Sequence, residues 1–185
     1  MCGRYYLMKR INDVLEDMQL DVIQYLSTKE DCRPQQYLPV IVEGNGQLKI
    51  KKLKWGYTTS YSSQILFNAR SETILEKKMF KEDIFMRRCL ILANGFYEWD
   101  AHQHQIAFEP KDKVLFMAGI YNRNGEFVII TKNANEIMKP VHSRMPVMIS
   151  KEDISSWFDS SHFPKYLQSE VPFDIVSGIL QTSLF

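Results

Sequence analysis

Leu38-Pro39-Val40-Ile41-Val42-Glu43-Gly44-Asn45-Gly46-Gln47-Leu48-Lys49-Ile50-Lys51-Lys52-Leu53-Lys54-Trp55 sets the architecture. Two strand-like runs, Leu38–Glu43 and Gln47–Trp55, flank Gly44-Asn45-Gly46, a turn sequence that closes a hairpin. Lys49, Lys51, Lys52 and Lys54 make the second strand basic, which fits a solvated edge that resists association or, more sharply, a phosphate track. A second hairpin joins Val114–Ile120 to Glu126–Thr131 across Asn122-Arg123-Asn124-Gly125, and Cys89–Ala93 is an apolar strand. Ile11, Val14, Leu15 and Met18 recur at helical spacing over residues 10–20. Short helices are expected over 72–78, 80–86 and 132–139, the last carrying Ile137 and Met138 inward. Ser150-Lys151-Glu152-Asp153 reads as a capping box opening a helix through Phe158. Ser27–Pro39 and the Ser/Thr/Tyr-rich stretch after Trp55-Gly56-Tyr57, as far as Gln64, read as loops. Beyond residue 160 the sequence is uninformative. The expected fold is α+β: curved antiparallel β-sheets forming an open barrel-like core with peripheral short helices, in one domain over residues 1–185.

Composition narrows the setting. A chain of 185 residues, 45% hydrophobic, can bury a core. Its net charge of +1 gives no global basic field, so any nucleic-acid site must be a local patch. Three cysteines without CxxC spacing argue against a disulfide framework or a zinc site, and no metal or cofactor is expected. No apolar run reaches the ~18 residues of a membrane span, and a reducing cytoplasm fits best.

Four stretches carry chemistry. Cys2 in Met1-Cys2-Gly3-Arg4 would become the amino terminus on loss of Met1, with an α-amine and a thiol on adjacent carbons. Those groups titrate near pH ~7.7–8.0 and ~8.5 when unperturbed. They can attack an acyl carbon or close on an aldehyde as a thiazolidine; the plainer alternative is an ordinary buried cysteine. Asn68 and Arg70 alternate, so an extended segment would project both to one face, suited to an oxyanion, a sugar oxygen or a phosphate. The plainer reading makes Ser71 a helix N-cap. Glu98 follows an Asn94-Gly95 turn and sits among Phe96, Tyr97 and Trp99, surroundings that raise a carboxyl pKa and ready it for proton transfer; a surface glutamate flanked by core aromatics is the alternative. His142 lies between Pro140 and Pro146 and is placed for acid–base work or is structural. His102 and His104 read as exposed, and Arg33 as an exposed cation in its loop or, more sharply, a cation placed for a phosphate.

Together these motifs resemble the SOS-response-associated peptidase (SRAP) family, the abasic-site processing proteins. The resemblance rests on Cys2-Gly3-Arg4-Tyr5, Trp55-Gly56, Asn68-Ala69-Arg70-Ser71-Glu72-Thr73, Arg88-Cys89-Leu90, Gly95-Phe96-Tyr97-Glu98-Trp99 and His142-Ser143-Arg144-Met145-Pro146, in register from residue 2 to about 158. It implies a protein that links Cys2 covalently to the ring-opened aldehyde of an abasic site in single-stranded DNA, after an autoproteolytic loss of Met1; separately, a monomer is expected. It implies Cys2 as nucleophile, Asn68 positioning the sugar, Glu98 carrying a proton near the amine, and His142 acting on the deoxyribose oxygen. Arg4 and Arg70 would hold flanking phosphates, with Trp55 and Arg144 as further DNA contacts. The chain departs from the family pattern at Leu92-Ala93-Asn94, at Ser143 where an Asp is usual, and in a short tail after Val176-Ser177. Two other readings remain open: an N-terminal-cysteine glutamine amidotransferase, and a single-stranded DNA-binding module whose Cys2 does no chemistry.

Overall fold

The computed structural model describes residues 2–24, 29–59, 62–110, 114–168 and 175–181. The chain runs β1 (Tyr5–Leu7), α1 (Ile11–Asp17), β2 (Glu30–Cys32), β3 (Tyr37–Gly44), β4 (Gln47–Trp55), β5 (Tyr57–Thr59), β6 (Ser62–Leu66) and β7 (Asn68–Arg70). It continues through α2 (Lys78–Met86), β8 (Arg88–Ala93), β9 (Gly95–Trp99), β10 (Gln105–Pro110), β11 (Leu115–Tyr121), β12 (Glu126–Asn133), β13 (Arg144–Pro146) and β14 (Met148–Ile149). A 3-10 turn at Lys151–Asp153, α3 (Ile154–Phe158), α4 (Pro164–Gln168) and β15 (Ile175–Gln181) complete it. The expected class is observed: mostly antiparallel curved sheets with few, short helices.

The larger sheet is built on the two expected hairpins. β3 pairs with β4 from Tyr37↔Lys54 to Gly44↔Gln47. Asn45 and Gly46 both take positive φ, 55° and 73°, the combination that lets a two-residue turn follow the strands' right-handed twist. β11 pairs with β12 and with β8, and β8 pairs with β3. A short parallel contact, Glu126↔Lys54 and Phe127↔Trp55, returns β12 to β4 and closes a ring of strands. Its interior is tight: a Cβ on Gly119 would lie 2.4 Å from Ile91 Cδ1 and 2.8 Å from Val128 O. The second sheet has the order β15-β10-β9-β1-β2, all antiparallel, with β1 interior between β9 and β2.

The two sheets share a covalent crossing and a core. β8 belongs to the ring and β9 to the five-stranded sheet, with only Asn94 between them. Asn94 is fully buried; its Oδ1 accepts Met8 N–H at 2.6 Å and its N–H donates to Tyr6 O at 2.9 Å, so the bend is bonded to the chain on both sides of Leu7. The Asn94-Gly95 turn read from the sequence is therefore a passage between sheets rather than a reversal. Gly95 is required sterically, because a Cβ there would meet the Tyr6 hydroxyl at 2.4 Å. Cys2, Tyr5, Leu7, Ile11 and Leu15 belong to the same buried cluster as Val40, Trp55, Ile91 and Phe127 from the ring. Arg88 joins the helices to it, donating to the carbonyls of Ile84, Phe85, Trp157 and Phe158 around the ends of α2 and α3.

Several expected loops and helices differ. Glu30–Cys32, inside the expected 27–39 loop, is strand β2 because β1 offers it an edge, while residues 27 and 28 lie outside the described residues. The 56–64 stretch holds β5 and the start of β6, a hairpin tied down where Glu126 accepts from Thr58 Oγ1 at 2.7 Å; residues 60 and 61 lie outside the description. Residues 71–76 are turns, and Ser71 is no helix cap: its N–H donates to Thr131 O at 2.8 Å, continuing the β7–β12 pairing. Residues 136–140 are likewise turns, with Met138 buried as expected but Ile137 exposed. The capping box is present, Ser150 Oγ accepting Asp153 N–H at 3.2 Å.

Replacing Asn94 with Ala strands the Met8 amide beside a buried bend. An unsatisfied buried donor costs about 1–3 kcal/mol. Asn94→Ala should lower folding stability by roughly that amount in urea titration, and an unchanged midpoint would show that the bend does not depend on this bond.

Candidate active site

Strand pairing brings the start of the chain to Glu98. Tyr5 and Tyr6 face Phe96 and Gly95, and Arg4 O accepts Tyr97 N–H at 2.9 Å, so the antiparallel register runs on towards Cys2-Gly3 on one strand and Glu98-Trp99 on the other. Cys2 is fully buried. Burial pushes its thiol up, and the nearby Glu98 carboxylate adds to the shift. Glu98 itself is 3% exposed. Burial pushes its carboxyl up as well, opposed by His142 and by the Trp99 N–H. The expectation from its aromatic neighbours is thus met in kind: the side chain is desolvated on a strand whose Phe96 stacks on Phe108 with ring centroids 5.2 Å apart.

Asn68 reaches the same place from the ring. β7 runs parallel to β12, with Asn68 level with Ile129 and Arg70 level with Thr131. The segment is extended, as the alternation of Asn68 and Arg70 requires, and Asn68 Nδ2 donates to Cys2 O at 3.1 Å. Asn68 Oδ1 is buried and has no protein partner among the described residues, which leaves an acceptor at this point. His142 is half-buried at the start of β13, and its Nδ1 accepts Arg144 N–H at 3.0 Å. With Nδ1 occupied as an acceptor, the neutral ring carries its proton on Nε2. The ring lies near enough to Glu98 to oppose the rise of its carboxyl. Cys2, Asn68, Glu98 and His142 are therefore brought together, Asn68 and Glu98 by β7 and β9, Cys2 by the segment leading into β1 and His142 by the segment leading into β13. They place an amide on the Cys2 carbonyl and a buried carboxyl near its thiol, with an imidazole near that carboxyl. Among the described residues, no three His, Cys, Asp or Glu side chains are grouped to hold a metal.

The arginines and Trp55 divide differently from the sequence reading. Arg4 is partly exposed, lies 5.2 Å from the Tyr97 ring centroid and donates from Nε to Asp31 at 2.7 Å; Arg70 is exposed. Arg144 is largely buried and bonds both Glu72 oxygens, at 2.6 and 2.9 Å, together with Asn133 Oδ1 and Thr131 O. That guanidinium clamps β13 to β12 and the segment after β7, so its placement is structural rather than that of a DNA contact. Trp55 is also corrected: it is fully buried, stacked on Phe127 at 6.1 Å, and its Nε1 donates to Phe67 O at 2.9 Å. No ring face is left for a base. Glu72 was overlooked as the partner of Arg144, although a lone arginine before an apolar Met145-Pro146-Val147 run calls for a counter-ion.

The family model for SOS response associated peptidase (SRAP) matches residues 1–174. This chain belongs to the SRAP family. Among its relatives, the abasic site processing protein YoqW of Bacillus subtilis is 31% identical over 205 residues, spanning 94% of this chain and 88% of that one. The abasic site processing protein YedK of Escherichia coli is 27% identical over 175 residues, spanning 85% and 79%. A phage-related protein from Bordetella bronchiseptica shares the fold, with a TM-score of 0.78 at 23% identity over 96% of this chain and 94% of that one. Among the described residues, no helix is long and apolar enough to cross a membrane.

A carboxyl whose folded pKa lies above its unfolded value binds its proton more tightly in the fold. Its contribution to stability is fullest below the ordinary Glu range near ~4.3 and is lost as pH rises through the raised value. Glu98→Gln should remove that loss. Between pH 5 and pH 8 the urea midpoint of the native chain should fall relative to that of the variant. Parallel midpoints would show that Glu98 is not held as described.

Proposed function

We propose that the chain processes abasic sites in single-stranded DNA, and that Cys2, once freed of Met1, forms a thiazolidine with the lesion's ring-opened aldehyde. Met1 lies outside the described residues, and its removal is part of the proposal. The observation that carries the reading is the bond from Asn68 to the Cys2 carbonyl beside a buried Glu98 that feels His142. This is more than a buried cysteine needs, and it surrounds the one residue able to offer amine and thiol together. Membership of the family and the names of its relatives agree with it.

The chemistry balances with groups at hand. The Cys2 amine adds to the aldehyde carbon, and the resulting carbinolamine loses water to give an imine. The thiol then adds across that C=N bond, sulfur to carbon and proton to nitrogen, so one water is released in all. Glu98 accepts the ammonium proton as the amine attacks. The Nε2–H of His142 hydrogen-bonds first the deoxyribose ring oxygen, which takes up the proton of the anomeric hydroxyl as the aldehyde is released, and then the departing hydroxyl, which leaves as water with the proton that Glu98 took from the amine. Asn68 fixes Cys2 through its carbonyl and offers Oδ1 to a sugar hydroxyl. Because the thiol attacks within the same residue, a high effective molarity offsets its raised pKa. An abasic site has no base to read, so Arg4 and Arg70 act on flanking phosphates. Retention in a reducing cytoplasm and a monomeric state complete the proposal.

Incubation with single-stranded DNA carrying one abasic site should give a heat-stable band on a denaturing gel. Its mass should equal the chain without Met1 plus DNA minus one water. Cys2→Ala and undamaged DNA should give none, and Glu98→Gln or His142→Ala should slow its appearance about a hundredfold or more. Confirmed loss of Met1 without any band would overturn the reading and favour simple binding or amide hydrolysis.

A further inference from the structure

Arg33 stands outside the site described above, and the structure joins it to Arg4 through one carboxylate. Asp31 lies on β2 opposite Tyr6, so it shares a sheet face with Arg4. Asp31 Oδ1 accepts from Arg4 Nε and Oδ2 from Arg33 Nε, each at 2.7 Å. Arg33 is further fixed where its backbone N–H donates to Gln36 Oε1 at 2.7 Å, and Arg4 by the Tyr97 ring beneath it. Burial of Asp31 is outweighed by the two guanidinium bonds, which hold its carboxyl below the usual range and keep it ionised at neutral pH.

The geometry of these bonds is selective. Each guanidinium spends only its Nε–H on Asp31, and four further N–H donors remain on the Nη groups of each. Among the described residues no acceptor is paired with those groups. The side chains of Arg4, Asp31 and Arg33 are 29%, 38% and 58% exposed, so solvent and ligands reach them. Two positive charges around one negative leave the group with a net positive charge. Two forks held side by side match the oxygens of a tetrahedral phosphate.

We propose that Arg4 and Arg33 form a two-arginine clamp for one phosphodiester of the bound strand, with Asp31 as the positioning residue that holds both forks. The clamp deepens the DNA reading above and rests on it. It adds a phosphate contact, Arg33, two positions beyond the carboxylate, and gives an acidic residue a constructive part in binding a polyanion. Simple electrostatics argues the other way, since removing a negative charge beside DNA strengthens binding. The sign of the Asp31 effect therefore separates positioning from charge alone.

The test is fluorescence anisotropy of undamaged single-stranded DNA with the full chain across a series of salt concentrations, beside the abasic cross-linking gel. Asp31→Asn keeps one acceptor oxygen and turns an amide towards the second arginine, so it should weaken binding about threefold or more despite the added positive charge. Arg33→Ala should weaken binding and flatten the plot of log affinity against log salt by about 0.7, the loss of one phosphate contact. Asp31→Asn should have little further effect in the Arg33→Ala background, because the two act as a unit. Tighter binding by Asp31→Asn, or an unchanged salt slope in Arg33→Ala, overturns the clamp while a native chain that still cross-links preserves the functional reading. A native chain that neither binds nor cross-links overturns both.

Discussion

The placement of β1 inside the five-stranded sheet is the constraint on which the site depends. Chain termini ordinarily fray, because few contacts hold them. Here the first strand has a neighbour on each side, and Tyr5, Leu7, Ile11 and Leu15 are all buried. The cost of ordering a terminus is met by hydrophobic burial on a scale that a tethered tail could not reach. Asn94 makes the arrangement specific. It bonds both sides of Leu7 at the point where the chain leaves the ring for the second sheet. That single bend fixes the register between β1 and β9, and with it the approach of Glu98 to Cys2. A residue near a chain end can then be held as rigidly as one in mid-sheet, which positional chemistry requires.

Much of this was legible locally and some of it was not. Asn45-Gly46 and Gly125 announce their hairpins because positive φ is needed there and the residues allow it. Ser150 announces its helix through a bond spanning three residues. β2 and β10 carry little apolar periodicity, and each becomes a strand because a distant segment offers an edge: Glu30 faces Leu7, and Gln105 faces both Trp99 and Gln181. No local pattern encodes such a partner. The four reactive candidates were legible for a different reason. Each stands as a residue type at odds with its surroundings, such as a carboxylate among aromatics or a histidine between prolines. Trp55 and Arg144 failed the same test because motif membership says that a residue matters, not whether it faces a ligand or the core.

The arginines show how one side chain takes opposite roles. Arg88 is enclosed by carbonyl oxygens and Arg144 spends both Nη groups on a full carboxylate and further acceptors, only its buried Nε being without a partner among the described residues, so nearly all their donors are consumed within the fold. Arg4 and Arg33 divide one carboxylate between them and lie nearer the surface. A guanidinium that meets all its partners in the core stabilises; one held by a single atom is oriented and still unsatisfied. Counting donors against acceptors sorts the four where charge alone does not. The net charge of +1 conceals this, since the sum is blind to which cations are already neutralised.

The burial of Cys2 bears on the order of the proposed steps. A thiol pushed up by an apolar site and a neighbouring carboxylate is a poor first nucleophile, because little of it is thiolate near neutral pH. An acyl-transfer role would require that thiolate at the outset, which disfavours the amidotransferase reading. Ring closure on an imine makes no such demand. In the proposed sequence the amine attacks first with Glu98 as its base, so the carboxylate that raises the thiol is the group that would ready the amine. Sulfur then meets a carbon already bonded to its own residue, where proximity replaces ionisation as the source of rate. The same electrostatic feature thus suppresses one chemistry of an N-terminal cysteine while favouring the other.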